Sequence, residues 1–177
     1  ALSMLIMPRG AFFLADTYVN MDPSADEIVS ITLQARDHLK RFNIEARAAL
    51  LSYSNFGSRE GATSHKMKEA YDKLKRVAPD LIVEGEMQGD LALNQGLRER
   101  YIPDSVLKGE ANLLVFPNLE SANLSMTLLK ELNNALPVGP ILMGTRNPAH
   151  ILAPSVTSRG IVNMTAITAN ESLALKR

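Results

Sequence analysis

The chain has 177 residues, 46% of them hydrophobic, which is enough for one substantial core in one or two compact units and leaves no sign of disorder. Lys plus Arg and Asp plus Glu each total 19, so no electrostatic footprint for nucleic acid or an anionic membrane surface exists. The absence of cysteine excludes disulfides, thiolate metal sites and a thiol nucleophile, and fits a reducing compartment.

The opening ALSMLIMPRGAFFLAD is apolar, but Pro8-Arg9-Gly10 splits it into runs too short to cross a bilayer, and the basic start of a signal peptide is missing. Ser3 to Met7 and Ala11 to Ala15 read as two strands joined by a three-residue turn in which Gly10 takes a positive φ. A soluble, cytoplasmic protein is expected. Because Ala1 rather than methionine comes first and the first residues already look like sheet, a piece of a longer protein is expected too.

Ser24 and Glu27 have capping-box spacing just after Pro23, and Ile28, Ile31, Ala35, Leu39 and Phe42 then recur at helical spacing. ARAALLSY reads as a central strand, followed by a Ser/Asn/Gly loop and a helix whose stripe is Met67, Ala70, Tyr71, Leu74 and Val77. Lys66, Lys68, Lys73, Lys75 and Arg76 are assigned to its water-facing side. DLIVEGEM is a strand, GDLALNQGLRERY a weaker helix and ANLLVFPN a third apolar strand. LESANLSMTLLKELNN is helical, PVGPILMG strand-like, and TSRGIVNMTAITANESLAL a closing helix. This alternation predicts an α/β fold, a mostly parallel sheet covered by helices on both faces. Ligands of such sheets gather beyond the carboxyl ends of the strands, which places SYSNFGSREG, GEMQGD, FPNLESAN and GPILMGTRNP at one edge.

In LLSYSNFGSREG, Leu50 to Gly61, the residues Ser52, Ser54, Asn55, Gly57 and Ser58 can turn N–H groups and hydroxyls toward one point at a helix start, a cradle for a phosphate-like anion. An ordinary polar connection with a serine cap accounts for the same letters. Neither a Walker pattern nor G-x-G-x-x-G occurs. Alternation puts Glu84 and Glu86 on one face of their strand, where, with Asp90 nearby and no histidine at ligand spacing, solvated carboxylates rather than a metal site are expected. His38, His65 and His150 lack partners legible in the sequence and read as surface or capping residues. Asn118, Ser121 and Asn123 either cap a helix or meet a ligand.

Taken together, LADTYVNMDPSADEI, LLSYSNFGS, APDLIVEGEMQGDLAL, ANLLVFPNLESAN, GPILMGTRNPAHIL and IVNMTAITA resemble the phosphotransacetylase family, the phosphate acetyl/butyryltransferases, over the C-terminal half of that family's domain. The resemblance implies a fold like that of isocitrate and isopropylmalate dehydrogenases. Residues 1–143 would then be mainly the second α/β domain, and 144–177 a loop and helix returning to an incomplete first domain. It also implies transfer of an acyl group between acyl phosphate and coenzyme A. The family's late loop reads roughly L-S-R-G-C-S-x-x-D-I-V-N, whereas this chain has LAPSVTSRGIVN: Ala153 replaces the serine, Pro154 the arginine and Gly160 the aspartate proposed as base. A positioned base is worth about 10²–10⁴ in rate and a charge-stabilising group about 10²–10³, so little transferase activity is expected.

A scaffold that keeps the anion loop without the catalytic groups resembles the C-terminal domain of the large bacterial malic enzymes, with SNFGS and TRNPAHIL pointing the same way. That likeness implies a non-catalytic domain that senses acetyl-CoA or a related acyl-CoA and helps hold a homo-oligomer, with Ser54, Asn55, Gly57, Ser58, Asn118, Asn123, Gly144 and Arg146 as the expected binding residues. No cofactor is expected in this chain. NAD or NADP and a divalent metal would belong to a preceding oxidoreductase part. An active transferase half and a purely structural oligomerisation domain are the alternatives.

Overall fold

The computed structural model describes residues 1–152, 154 and 156–174. In chain order the elements are β1 Leu2–Met7, β2 Gly10–Ala15, α1 Ala25–Arg41, β3 Arg47–Leu51, α2 Ala62–Val77, β4 Ile82–Met87, α3 Gly89–Leu93, α4 Gln95–Tyr101, β5 Leu113–Val115, α5 Leu119–Leu132, β6 Leu136–Ile141 and α6 Ser158–Ala174. The strands form one six-stranded sheet in the order β4-β3-β5-β2-β1-β6. Strands β2, β3, β4 and β5 run parallel, and β1 opposes both of its neighbours, β2 and β6. Met7 pairs with Gly10, so the first hairpin turns through Pro8 and Arg9 alone, two residues rather than three, and Gly10 opens β2 at φ 132°.

Strand alternation divides the core into two layers. Leu2, Phe13, Ala48, Leu50 and Leu113 pack under α1, α2 and α6, whereas Leu5, Phe12, Leu14, Ala49 and Leu114 pack under α3 and α5. Helix α1 begins where its capping box predicts: the Ser24 N–H donates to Glu27 Oε2 at 2.7 Å and the Glu27 N–H returns to Ser24 Oγ at 3.3 Å. Its buried face carries Ile28, Ile31, Ala35 and Leu39.

Other expectations need correction. Val77 is exposed, because at the last residue of α2 it lies on the outer side of a turn whose buried contact is Leu74. Lys66 and Lys73 do not simply face water. Lys66 Nζ reaches Asp22 Oδ1 at 2.5 Å and the Pro117 carbonyl at 2.9 Å, and Lys73 Nζ reaches Asp26 Oδ1 and Glu69 Oε1, each at 2.7 Å. The weak helix over 89–101 is two short ones, because Asn94 leaves the helical region and its side chain caps α4 by accepting the Leu97 N–H.

The largest departure lies in β4. Leu50 pairs with Gly85 but Leu51 pairs with Met87, leaving Glu86 as an inserted residue. Ile82 and Met87 therefore join the same core layer despite their odd spacing, and the alternation that would put Glu84 and Glu86 side by side is broken. Both carboxylates are buried rather than solvated. Glu84 Oε1 accepts the Val106 N–H at 2.9 Å, and Glu86 turns to the loop after β3.

Candidate functional site

The loop that leaves β3 closes around Glu86. The Ser54 hydroxyl and the Gly57 N–H donate to Glu86 Oε1 at 2.8 and 2.7 Å, and the Phe56 N–H donates to the Glu86 carbonyl at 2.8 Å. Ser54 Oγ accepts from the Arg59 N–H, and Ser58 Oγ accepts from the Asn55 N–H. The Asn55 amide and Gln88 exchange two further hydrogen bonds, of 3.0 and 2.7 Å. Ser54 and Gly57 thus meet on one anion, the Glu86 side chain of the next strand, whereas Asn55 is paired with Gln88 and Ser58 Oγ accepts the Asn55 N–H.

Asn118 caps α5, accepting the Ser121 N–H at 2.9 Å, and Asn123 Nδ2 donates to the Thr17 carbonyl at 3.2 Å. Both also line an open basin with Thr63, Met21 and Asp22. Gly144 and Arg146 do not line this basin. Their loop follows β6, four strand steps from β3 and the loop that leaves it, roughly 19 Å at ordinary strand spacing. Arg146 is exposed, and Gly144 borders a small cavity with Gln34, His38, Arg41 and Glu171. The four loops share an edge of the sheet but do not form one site.

A larger concavity runs between β6, α5 and α6. One compartment of 310 Å³ is lined by Met126, Lys130, Val138, Thr157, Gly160 and Asn163, among others, and an apolar one of 300 Å³ adjoins it through Tyr18 and Pro140. Their described lining holds no carboxylate and no imidazole side chain, and Lys130 is its cationic side chain. Ala153, matched to the family serine, lies outside the described residues. Pro154 is exposed, and a Cβ on Gly160 would stand 2.7 Å from Val156 Cγ2.

His38 and His150 are not surface residues. Their side chains are buried on either side of Glu171, with His38 Nδ1 3.0 Å from Oε1 and His150 Nε2 3.2 Å from Oε2, while Arg41 Nη1 lies 3.4 Å from Oε1. Burial, with Arg41 and His150 alongside, pushes the His38 imidazole down to about 4. Sequence reasoning missed Glu86, Lys130 and this cluster. An acidic residue inside an otherwise apolar strand is the signal that identifies Glu86 as the loop's partner. Among the described residues no group of three His, Asp or Glu side chains is arranged to hold a metal ion, and no helix is long and apolar enough to cross a membrane.

A family model described as Phosphate acetyl/butaryl transferase matches residues 1–169. The NAD-dependent malic enzyme of Rhizobium meliloti is 55% identical over 172 residues, covering 97% of this chain and 22% of the relative. The phosphate acetyltransferase of Bacillus subtilis is 35% identical, covering 96% of this chain and 53% of the relative. A phosphotransacetylase structure from Streptococcus pyogenes superposes with a TM-score of 0.93 at 30% identity, covering 98% of this chain and 54% of that one. The chain therefore spans about half the length of the transferases and about a fifth of the malic enzyme.

Proposed function

The chain belongs to the phosphate acetyl/butaryl transferase family, and from that premise we propose that it serves as a non-catalytic, acyl-CoA-binding and assembly domain of a malic-enzyme-type protein, with acetyl-CoA as its ligand. Support for the malic-enzyme setting is the 55% identity to a protein named NAD-dependent malic enzyme and the 47% identity to the one named NADP-dependent malic enzyme from Escherichia coli, each matched over 97% of this chain. The oxidative decarboxylation of malate, with NAD or NADP and a divalent metal, would then belong to residues outside this chain.

The observation that carries the non-catalytic reading is the lining of the concavity between β6, α5 and α6. Acyl transfer to a thiol needs a group to take the thiol proton, and the described lining offers neither carboxylate nor imidazole. What it does offer suits binding: an apolar compartment for an acyl chain or pantetheine arm, the Thr157 and Asn163 side chains for amides, and Lys130 for a phosphate. Assembly is supported by α5, whose outer stripe of Leu124, Leu128 and Leu132 is 55%, 59% and 78% exposed, an apolar line at i, i+4, i+8 with nothing over it.

Calorimetric titration of the full protein with acetyl-CoA, alongside an assay for transfer from acetyl phosphate to coenzyme A, tests the reading. Binding without turnover is expected. Turnover near that of an ordinary transferase overturns the non-catalytic part, and absence of binding leaves assembly alone.

A further inference from the structure

Helix α6 is held down by little apolar surface. Met164 and Glu171 are its buried residues among those described, so one of its two deep anchors is a carboxylate. That carboxylate joins three segments. Oε1 faces His38 and Arg41 of α1, and Oε2 faces His150 in the loop after β6. The side chains of His38, His150 and Glu171 are 8%, 3% and 6% exposed.

The hydrogen bonds fix the protonation state. His150 Nδ1 accepts the Leu142 N–H at 3.1 Å, so the neutral ring carries its hydrogen on Nε2, which lies 3.2 Å from Glu171 Oε2 without the alignment of a hydrogen bond. A second proton could go only on Nδ1, against that N–H. His38 Nδ1 lies 3.0 Å from the other oxygen, and the charged groups around it are Arg41 and Asp37 on α1, Glu171 on α6, and His150. With Arg41 already beside Glu171, protonating both imidazoles would set three positive charges around one buried carboxylate, with Asp37 the further acidic side chain near His38.

We propose that His38, His150 and Glu171 form an acid-released latch, which holds α6 against α1 and β6 near neutral pH and lets it swing away in mild acid. In the open form the imidazoles reach water and take protons freely. A ring held at about 4 when closed and at 6.5 when open makes opening about 20-fold more favourable near pH 5 than at neutral pH, from His38 alone. Because Thr157, Gly160, Asn163 and Met164 line the concavity, release removes one of its walls. Loss of acyl-CoA binding in acid is thus a further consequence, and it rests on the binding role proposed above.

Amide hydrogen exchange of the protein at about pH 7.5 and about pH 5, corrected for intrinsic rates, tests the latch directly. Protection of residues 158–174 should fall by roughly tens-fold in acid while α2, packed in the core of the same face, keeps its protection. In a His38→Gln, His150→Gln double variant, which cannot titrate there, α6 protection should no longer depend on pH. Constant protection in the natural sequence, or the same acid loss in the double variant, overturns the proposal. Should that variant not fold, imidazole NMR of the natural sequence decides: the His38 ring should stay neutral until α6 opens. Ordinary titration of His38 near 6.5 with α6 still protected refutes the latch. None of these readouts uses acyl-CoA, so a failure of ligand binding leaves them intact.

Discussion

Ser54 and Glu86, 32 residues apart, share a 2.8 Å hydrogen bond in which both side chains are buried. The bond ties the loop after β3 to the inserted residue of β4, and its removal has a defined signature. Glu86→Ala leaves the Ser54 hydroxyl and the Gly57 N–H without an acceptor, at about 1–3 kcal/mol for a buried polar group so stranded. Added formate should recover part of that loss, because a small carboxylate can take the vacated place. Urea denaturation with and without formate measures it, and an unrescued variant would mean that the donors had turned elsewhere.

Gly85 and Gly57 both have positive φ, 153° and 81°, yet their substitution should differ. A Cβ at Gly57 meets open space, so Gly57→Ala bears conformational strain alone, about 1 kcal/mol. At Gly85 a Cβ would sit 2.8 Å from Leu50 Cβ and 2.9 Å from the Leu50 carbonyl, in the middle of the β3-β4 pairing. Gly85→Ala should be clearly the more destabilising in the same denaturation series. Equal losses would mean that β4 shifts freely.

Arg98 is fully buried, and its guanidinium donates to the carbonyls of Leu91, Leu107 and Gly109 and to the Ser105 hydroxyl, at 2.5 to 3.1 Å. A lysine has one point of charge and cannot span that set. Arg98→Lys should therefore lower stability by about 3 kcal/mol or more, with several carbonyls left unpaired. Increased proteolysis within 102–111 would locate the damage. A near-neutral result would show that the segment holds itself.

Acid unfolding should occur over two windows. His38 is depressed, so its contribution to stability is complete above the ordinary 6.5 and is lost as pH falls toward about 4. The Glu27 carboxyl is held below its ordinary 4.5 by the Ser24 N–H and hydroxyl, so its contribution is complete above 4.5 and is lost further down. Denaturation midpoints taken across pH should show His38→Gln flattening the upper window and Ser24→Ala the lower. If both changes act in one window, the assignment is wrong.

Where local rules govern, the sequence was legible. The Ser24 and Glu27 box, the Ile28 to Leu39 stripe and the apolar runs of β3, β4 and β5 all reappear as structure, and so does the mostly parallel sheet. Long-range pairing was not legible. Nothing local says that β6 pairs with β1, which moves Gly144 and Arg146 far from Ser54. Nor does periodicity report an inserted residue, so Glu86 looked like a neighbour of Glu84. The loop after β3 was read as a cradle for an external anion, whereas two of its donors, the Ser54 hydroxyl and the Gly57 N–H, are taken by Glu86, a residue no local pattern connects to them. His38 and His150 read as surface or capping letters because Glu171 arrives from another segment.

Strand β6 ends the sheet, and two of its six residues, Pro137 and Pro140, have no N–H to offer. An outer strand with a full row of donors invites a neighbouring molecule to extend the sheet indefinitely. Lacking a donor at Pro137 and at Pro140, β6 cannot offer an unbroken row of N–H groups on both of its sides, which makes this rim a poor template for a foreign strand.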